Sequence, residues 1–403
     1  MQKYSKSIST LILVFAFTLN YGCTFSATKK AEEITNKPSD NELTIRQIID
    51  KYYQKSYFYF GCTSKAEYLE AENSEAKIFL KEFSYNTPSN EFKQTSVYPE
   101  PNATWKADNY RQLLVMAREN DQVVRAHCPI SPQCSTWAKQ DNRTAEELKS
   151  VMTYYMTNMS KELEANKDVV KWMDVVNETV VSTKLGDGTN NYLPGDWFGP
   201  LKGTDRWENP WLKIGQETDT ELKVPIYIKT AFEIANKYAP SIKHLYNHNG
   251  RLEQEAWDKV KQTVLYLRSK GLRVDAIGWQ AHVPVGFEKE AGTMEKLSNL
   301  IDWCYQNKLE FHITELDTKI GKDFDPKLLK EKENEIADTY GAIVETMLKK
   351  VGKGAVAINC WTLKDRVRKG EGYFAGLFDS ELNPTPAYFR VKELLLKYAP
   401  KNK

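Results

Sequence analysis

Lys171-Trp-Met-Asp-Val-Val-Asn-Glu178 and Glu310-Phe-His-Ile-Thr-Glu315-Leu-Asp317 decide how this chain is read. Each is a short β-rich run that closes on a glutamate. Runs of the same kind recur at 57–61, 83–86, 123–128, 171–177, 244–248, 274–280, 310–314 and 355–361. Between them the apolar residues switch to helical spacing, at 110–119, 145–165, 226–238, 254–270, 289–306, 327–350 and 387–397. Eight strands, most followed by a helix, predict an α/β chain closed into a single (β/α)8 TIM barrel. The rival is an open doubly wound sheet. That sheet normally carries a Gly-rich phosphate turn after its first strand, and the chain has no G-x-G-x-x-G.

Composition narrows the function. The chain has 403 residues, with 56 Lys and Arg against 54 Asp and Glu, a net charge of +2. A balance this close to neutral argues against nucleic acid as a partner, because phosphate binding needs a basic surface. With 41% hydrophobic and 27% charged residues the chain has a globular composition. No cluster of His, Asp and Cys at metal-ligand spacing appears, so a metal hydrolase is a weak reading and no cofactor is implied.

In a barrel of this type the C-terminal strand ends supply the active site. If the two glutamate runs are strands four and seven, Glu178 and Glu315 meet across the mouth. Two facing carboxylates suit the cleavage of a glycosidic bond. One, kept protonated, donates to the leaving oxygen, and the other attacks the anomeric carbon or activates water. A lone glutamate after a strand is usually a surface charge, so the pair draws its force from its flanks.

Asp174-Val-Val-Asn-Glu178 resembles the acid/base segment of glycoside hydrolase family 10, the retaining endo-β-1,4-xylanases, and Ile313-Thr-Glu315-Leu-Asp317 resembles that family's nucleophile segment. Their order and separation (315 − 178 = 137 residues) also fit. The resemblance runs from about residue 45 to 398. Phe60-Gly61, Asn90-Glu-Phe-Lys93, Arg125-Ala-His127, Ile277-Gly-Trp-Gln280-Ala-His282, Trp361, Phe378-Asp379 and Pro384-Thr-Pro-Ala-Tyr388 match further motifs in order. It implies Glu315 as nucleophile and Glu178 as acid/base. It implies substrate binding by Asn90, Lys93, His127, Asn177, Asn247, Gln280, His282 and Trp361, with Asp317 behind His282. The implied substrate is a polysaccharide, xylan or a decorated xylan-like β-glycan, and the expected state is a monomer.

The chain departs from the family pattern in three places. Cys128-Pro-Ile-Ser-Pro132-Gln-Cys134 replaces a Trp-His pair beyond the third strand. Asn247-His248 stands for Asn-Asp at the fifth strand end. Arg366-Val-Arg368-Lys369 stands where a second tryptophan follows the eighth strand. This basic run suits a uronate or sulfate, or is simply solvated. The altered third-strand loop also motivates a rival from another class, a surface glycan-binding barrel that has lost turnover. Retention of both glutamates argues against it. A long connection at 182–223, with Trp197, Trp207 and Trp211, reads either as one wall of the cleft or as a self-packed loop.

At the N-terminus, Lys3 and Lys6 precede an apolar run from Leu11 to Leu19, too short to span a bilayer. Residues 1–22 have the layout of a secretory signal. Gly22-Cys23 resembles a bacterial lipoprotein site, in which Cys23 is lipidated and becomes the new N-terminus. The expectation is an exported protein held by that anchor at a bacterial membrane, with plain secretion as the alternative. Residues 23–44 read as a polar tether and 45–400 as the catalytic domain. Cys128 and Cys134 are close enough in sequence to pair, or are buried thiols.

Overall fold

Eight parallel strands carry the apolar and β-branched runs of the sequence, and each pairs with the next until the sheet closes. A computed structural model describes residues 39–132, 137, 143–201, 209–322, 325–368 and 370–400. The strands are β1 (Tyr59–Ser64), β2 (Tyr85–Pro88), β3 (Val123–Ala126), β4 (Val170–Asn177), β5 (Lys243–His248), β6 (Ala276–Trp279), β7 (Glu310–Ile320) and β8 (Ala355–Cys360). Neighbours pair in parallel all the way round. The circle is completed where Tyr59 stands opposite Ala357 and Cys62 opposite Cys360. This is the expected (β/α)8 barrel.

The helices that wrap it are α1 (Ile45–Tyr52), α2 (Ser74–Glu82), α3 (Asp108–Glu119), α4 (Ala145–Ala165), α5 (Ile226–Tyr238), α6 (Gln254–Ser269), α7 (Thr293–Gln306), α8 (Leu329–Leu348) and α9 (Pro386–Lys397). α4 starts where Thr144 and Glu147 form a reciprocal capping box, satisfying two donors that a helix start otherwise leaves open. It buries one stripe through Leu148, Met152, Tyr155, Met159 and Leu163. α1 and α2 were not expected. α1 is a two-turn helix capped by Thr44 and Gln47, and it buries Ile45, Ile48 and Ile49. Glu82 of α2 is buried, and its carboxylate accepts from Ile45 N–H and from the Tyr388 hydroxyl, both at 3.0 Å. That carboxylate ties together the first, second and last helices.

Inside the barrel the side chains stack in layers. The lower layer is aromatic, with Trp172 within 5.7 Å of the rings of Tyr59, Tyr85 and His312. Above it lies a charged layer, where the buried Arg125 guanidinium pairs with buried Asp174 and donates to Thr314 O at 2.7 Å. The catalytic mouth rests on this layer.

β7 runs past the barrel rim and becomes the spine of a small second sheet. His282–Pro284 pairs with it in parallel, and Gly372–Ala375 pairs antiparallel on the other side. Arg366–Arg368 adds to the outside of that hairpin. The sequence reading ended this strand at residue 314, because a glutamate, an aspartate and a lysine follow.

Where it is described, the connection 182–223 packs partly on itself and partly against the barrel's other connections. Trp197 and Trp211 are buried, and their indole N–H groups donate to Leu222 O (3.0 Å) and Ser131 O (2.8 Å). Among the described residues of this connection, Ser182 and Thr183 reach the cleft. Trp207 lies outside the described residues. So do Cys23, Cys134, Lys369 and the segment read as signal and most of the tether. Cys128 is a free, buried thiol. No helix among the described residues is long and apolar enough to cross a membrane.

Candidate active site

A cleft of about 1010 Å³ opens over the C-terminal strand ends. It exceeds the usual range of small-ligand sites, roughly 300–1,000 Å³, and has room for several sugar rings. Glu178, Glu315, Asn90, Lys93, His127, Asn177, Gln280, His282 and Trp361 all line it. Asn247 and Asp317 do not line it; both are fully buried, and each is hydrogen-bonded to a residue that does.

Glu178 follows β4 in a left-handed backbone conformation, φ 53°, a region that residues with a Cβ seldom occupy. Its neighbours hold it there. Its N–H donates to Asn247 O at 3.3 Å, and its Oε1 accepts from Gln280 Nε2 at 2.7 Å and from Asn177 Nδ2 at 3.2 Å. Gln280 also donates to Asn177 Oδ1 at 3.0 Å, so the three side chains form a closed set.

Glu315 sits in a β-bulge. Ile313 faces Ile358 and Leu316 faces Cys360, so β7 takes three steps where β8 takes two. Bulges re-aim side chains, which explains how a residue in mid-strand presents its carboxylate to the mouth. Its Oε1 accepts from Asn247 Nδ2 at 3.0 Å, and its Oε2 lies 3.3 Å from His282 Nε2. Asn247 thus touches one glutamate with its backbone and the other with its side chain. Gly278 on β6 makes this possible, since a Cβ there would lie 2.5 Å from Asn247 Oδ1 and 2.7 Å from Thr314 Cγ2.

The two glutamates differ in proton affinity. Burial raises the Glu178 carboxyl above its ordinary value; the Gln280 hydrogen bond opposes this and the nearby Glu315 charge adds to it. Burial would raise Glu315 too. There the His282 hydrogen bond, the His127 and His282 rings and the Arg125 guanidinium win, and its pKa falls to about 2. His282 is the counterpart. Burial works against its charge, but Asp317 and Glu315 prevail and hold it up at about 10. Its Nδ1–H donates to Asp317 Oδ1 at 2.7 Å. The site therefore displaces the proton affinities of two neighbouring carboxyls in opposite directions, an arrangement suited to acid-assisted displacement.

The floor is built from Trp361. His127 and His282 stand edge-on to its ring at 5.5 and 6.3 Å, and the Lys93 ammonium lies 5.8 Å from its centroid. Lys93 donates to Asn90 Oδ1 at 3.0 Å. Burial lowers the Lys93 pKa against the pull of Glu315 and Glu178. His127 Nδ1 faces the Asp174 carboxylate, which fixes the proton on that nitrogen and turns Nε2 outward. At the fifth strand end His248 is no ligand. It is buried against Trp257, and burial drops its pKa to about 3.

The sequence reading missed three supports: Arg125 and Asp174 as a buried pair under the mouth, and Thr314, whose hydroxyl donates to Asn247 Oδ1 at 2.8 Å. A usable signal existed, since charged residues in the middle of apolar strands are rarely buried without a partner.

Comparison with known proteins agrees with this geometry. Residues 49–394 match the family model described as glycosyl hydrolase family 10. The chain is 27% identical over 350 residues to endo-1,4-beta-xylanase A of Caldicellulosiruptor saccharolyticus, covering 84% of this chain and 93% of that protein. It is 26% identical to endo-1,4-beta-xylanase B of Thermotoga neapolitana, covering 79% and 82%. Among solved structures, xylanase 10B from Thermotoga petrophila RKU-1 in complex with xylobiose superposes with a TM-score of 0.69 at 23% identity, covering 89% of this chain and 98% of that one. A barrel of this architecture, matched along most of its length by one family model, places the chain in glycosyl hydrolase family 10.

Proposed function

We propose that this glycoside hydrolase is a retaining endo-β-1,4-xylanase, with Glu178 as acid/base and Glu315 as nucleophile. The observation that carries the reading is the pair of buried glutamates lining one cleft, each in its own hydrogen-bonded setting, with proton affinities displaced in opposite directions. In the first step Glu178 gives its proton to the glycosidic oxygen while Glu315 attacks the anomeric carbon, forming a glycosyl ester and releasing the reducing-side fragment. Glu315 then carries no charge. The repulsion that helped to raise Glu178 disappears, so its proton affinity drops. Glu178 can now take a proton from water, which attacks the ester and releases a sugar with its original configuration.

The remaining residues hold this cycle in place. His282, kept charged by Asp317, keeps Glu315 ionised and oriented. Asn177 suits a hydrogen bond to the sugar hydroxyl beside the anomeric carbon, and Gln280 joins it to Glu178. Asn90, Lys93, His127 and Trp361 suit the ring beyond the cleavage point. A binding-only barrel has little use for two neighbouring carboxyls whose proton affinities are displaced in opposite directions. The sequence features at residues 1–44 support action outside the cytoplasm, with the protein held by lipid on Cys23 or else secreted.

The test is hydrolysis of an aryl β-xylobioside followed by proton NMR. The β-anomer as first product supports the reading, and an α-anomer as first product contradicts it.

A further inference from the structure

The small sheet above the mouth sets four side chains on one face. Lys319 and Arg366 both stand directly opposite Phe374, one on each side of it. Directly paired residues share a face, and Arg368, two positions beyond Arg366, shares it as well. This face is the cleft wall: all four residues line the cavity, whereas Val367 between the two arginines is 65% exposed on the other side. The Lys319 ammonium and the Arg366 and Arg368 guanidinium groups lie 5.3, 5.8 and 4.7 Å from the Phe374 centroid. Three cations therefore gather at one ring.

Too little negative charge stands beside them. Arg368 has Glu371 at 3.4 Å. Arg366 Nη2 has Asp317 Oδ2 at 4.0 Å, beyond hydrogen-bond distance, while the other oxygen of that carboxylate accepts from His282. Lys319 has no ion pair within 4.0 Å among the described residues. Arg366 Nε and Nη2 are shielded from water and have no hydrogen-bond acceptor among the described residues. A merely solvated basic run would keep these nitrogens wet. About a third of each arginine side chain still faces the cleft, 36% for Arg366 and 32% for Arg368.

We propose that this face is a subsite for an anionic substituent, a carboxylate or a sulfate ester, carried by the β-glycan chain. The inference rests on the xylanase reading and narrows its substrate to acidic xylans. Planar guanidinium groups match the paired oxygens of either anion, and three cations gathered on one cleft wall favour a negative charge there.

The test compares three polymers of matched length: a xylan bearing hexuronate branches, the same xylan after its carboxyls are reduced to alcohols, and a sulfated xylan. At low salt the expected kcat/KM is about tenfold higher on an anionic polymer than on the reduced one, the worth of one charged hydrogen bond. That preference should shrink at about 0.5 M salt, where exposed charges are screened. Whichever anion gains more identifies the source. The double variant Arg366→Gln/Arg368→Gln is expected to lose most of the ratio. Should it fail to fold, the salt dependence of the unaltered protein still decides. Binding of charged and reduced oligosaccharides by Glu178→Gln reads the same preference without turnover. Charge preference in binding with no hydrolysis of any polymer by the unaltered enzyme would contradict the xylanase reading alone. Equal kcat/KM and equal affinity for charged and reduced ligands would overturn this proposal.

Discussion

Asp317 stands directly opposite His282 in the sheet above the barrel mouth, and its Oδ1 accepts from the ring Nδ1 at 2.7 Å. The other ring nitrogen faces Glu315 at 3.3 Å. A histidine between two carboxylates is held charged, and it holds the nucleophile ionised in turn. The imidazole resonances should therefore stay those of a cation through neutral pH and titrate near pH 10. In Asp317→Asn the titration is expected at lower pH; an unchanged midpoint would remove Asp317 from this role.

The same pair gives a stability prediction with a definite sign. His282 binds its proton more tightly folded (about 10) than its ordinary value of 6.5. Its contribution is whole below about pH 6.5 and is lost as pH rises toward 10. Glu315 is displaced the other way, to about 2 from 4.5, so its contribution is present above pH 4.5 and lost as pH falls toward 2. Thermal melts of His282→Gln should show a flatter decline between pH 6.5 and 10 than the unaltered protein; parallel curves would count against the linkage.

Kinetics follow the same logic. Activity requires Glu315 ionised and Glu178 protonated, so kcat/KM should form a bell. Its acid limb lies below the ordinary glutamate range, and its alkaline limb, set by Glu178, above it. His282→Gln removes the group that lowers Glu315 most, and should move the acid limb upward. An acid limb that does not move would mean that His282 acts only as packing.

The two glutamates should respond differently to the leaving group. Glu178→Ala is expected to cost on the order of 10²–10⁴ in kcat/KM on xylan, and much less on an aryl glycoside whose phenolate needs no proton. Glu315→Ala should cost roughly 10⁵ on both, since nothing replaces the attacking atom. Equal losses for the two variants on the aryl substrate would contradict the division of roles.

Gly278→Ala tests the support beneath the site. The added methyl would lie 2.5 Å from Asn247 Oδ1, and Asn247 holds Glu315. Overpacking of this kind costs about 1–3 kcal/mol. A lower melting temperature together with a lower kcat is expected; a loss of stability with full activity would show that Asn247 need not stay where it is.

Much of the fold could be read from the sequence because strand runs and helix runs have different periods. α4 and α5 begin and end at the residues their patterns indicated, 145–165 and 226–238. The misses have physical causes. α1 has only two turns, and its polar residues outnumber its three buried isoleucines. The outer part of β7 reads as a polar exit, because Asp317 is buried on a hydrogen bond to His282 and Lys319 faces the cleft, neither in an apolar core. Trp197 and Trp211 left a cleft wall and a self-packed loop equally open; both are buried, Trp197 on its own connection and Trp211 against Ser131, because spacing does not say which way a loop ring turns. Most of the proposed sugar-facing residues were legible through the motifs that flank them, which resemble those of the family. Arg125 and Asp174 were harder to see, since their importance lies in a contact between different strands.

The central claim is that Glu315 becomes covalently attached to sugar. A 2-deoxy-2-fluoro aryl xylobioside should slow the second step more than the first, leaving an ester that survives denaturation. After peptic digestion, mass spectrometry should find one difluoro-free, monofluorinated xylobiosyl group on the peptide containing Glu315, and none in Glu315→Ala. Label on the Glu178 peptide instead, or turnover with no label under conditions where the first step is shown to proceed, would contradict the account.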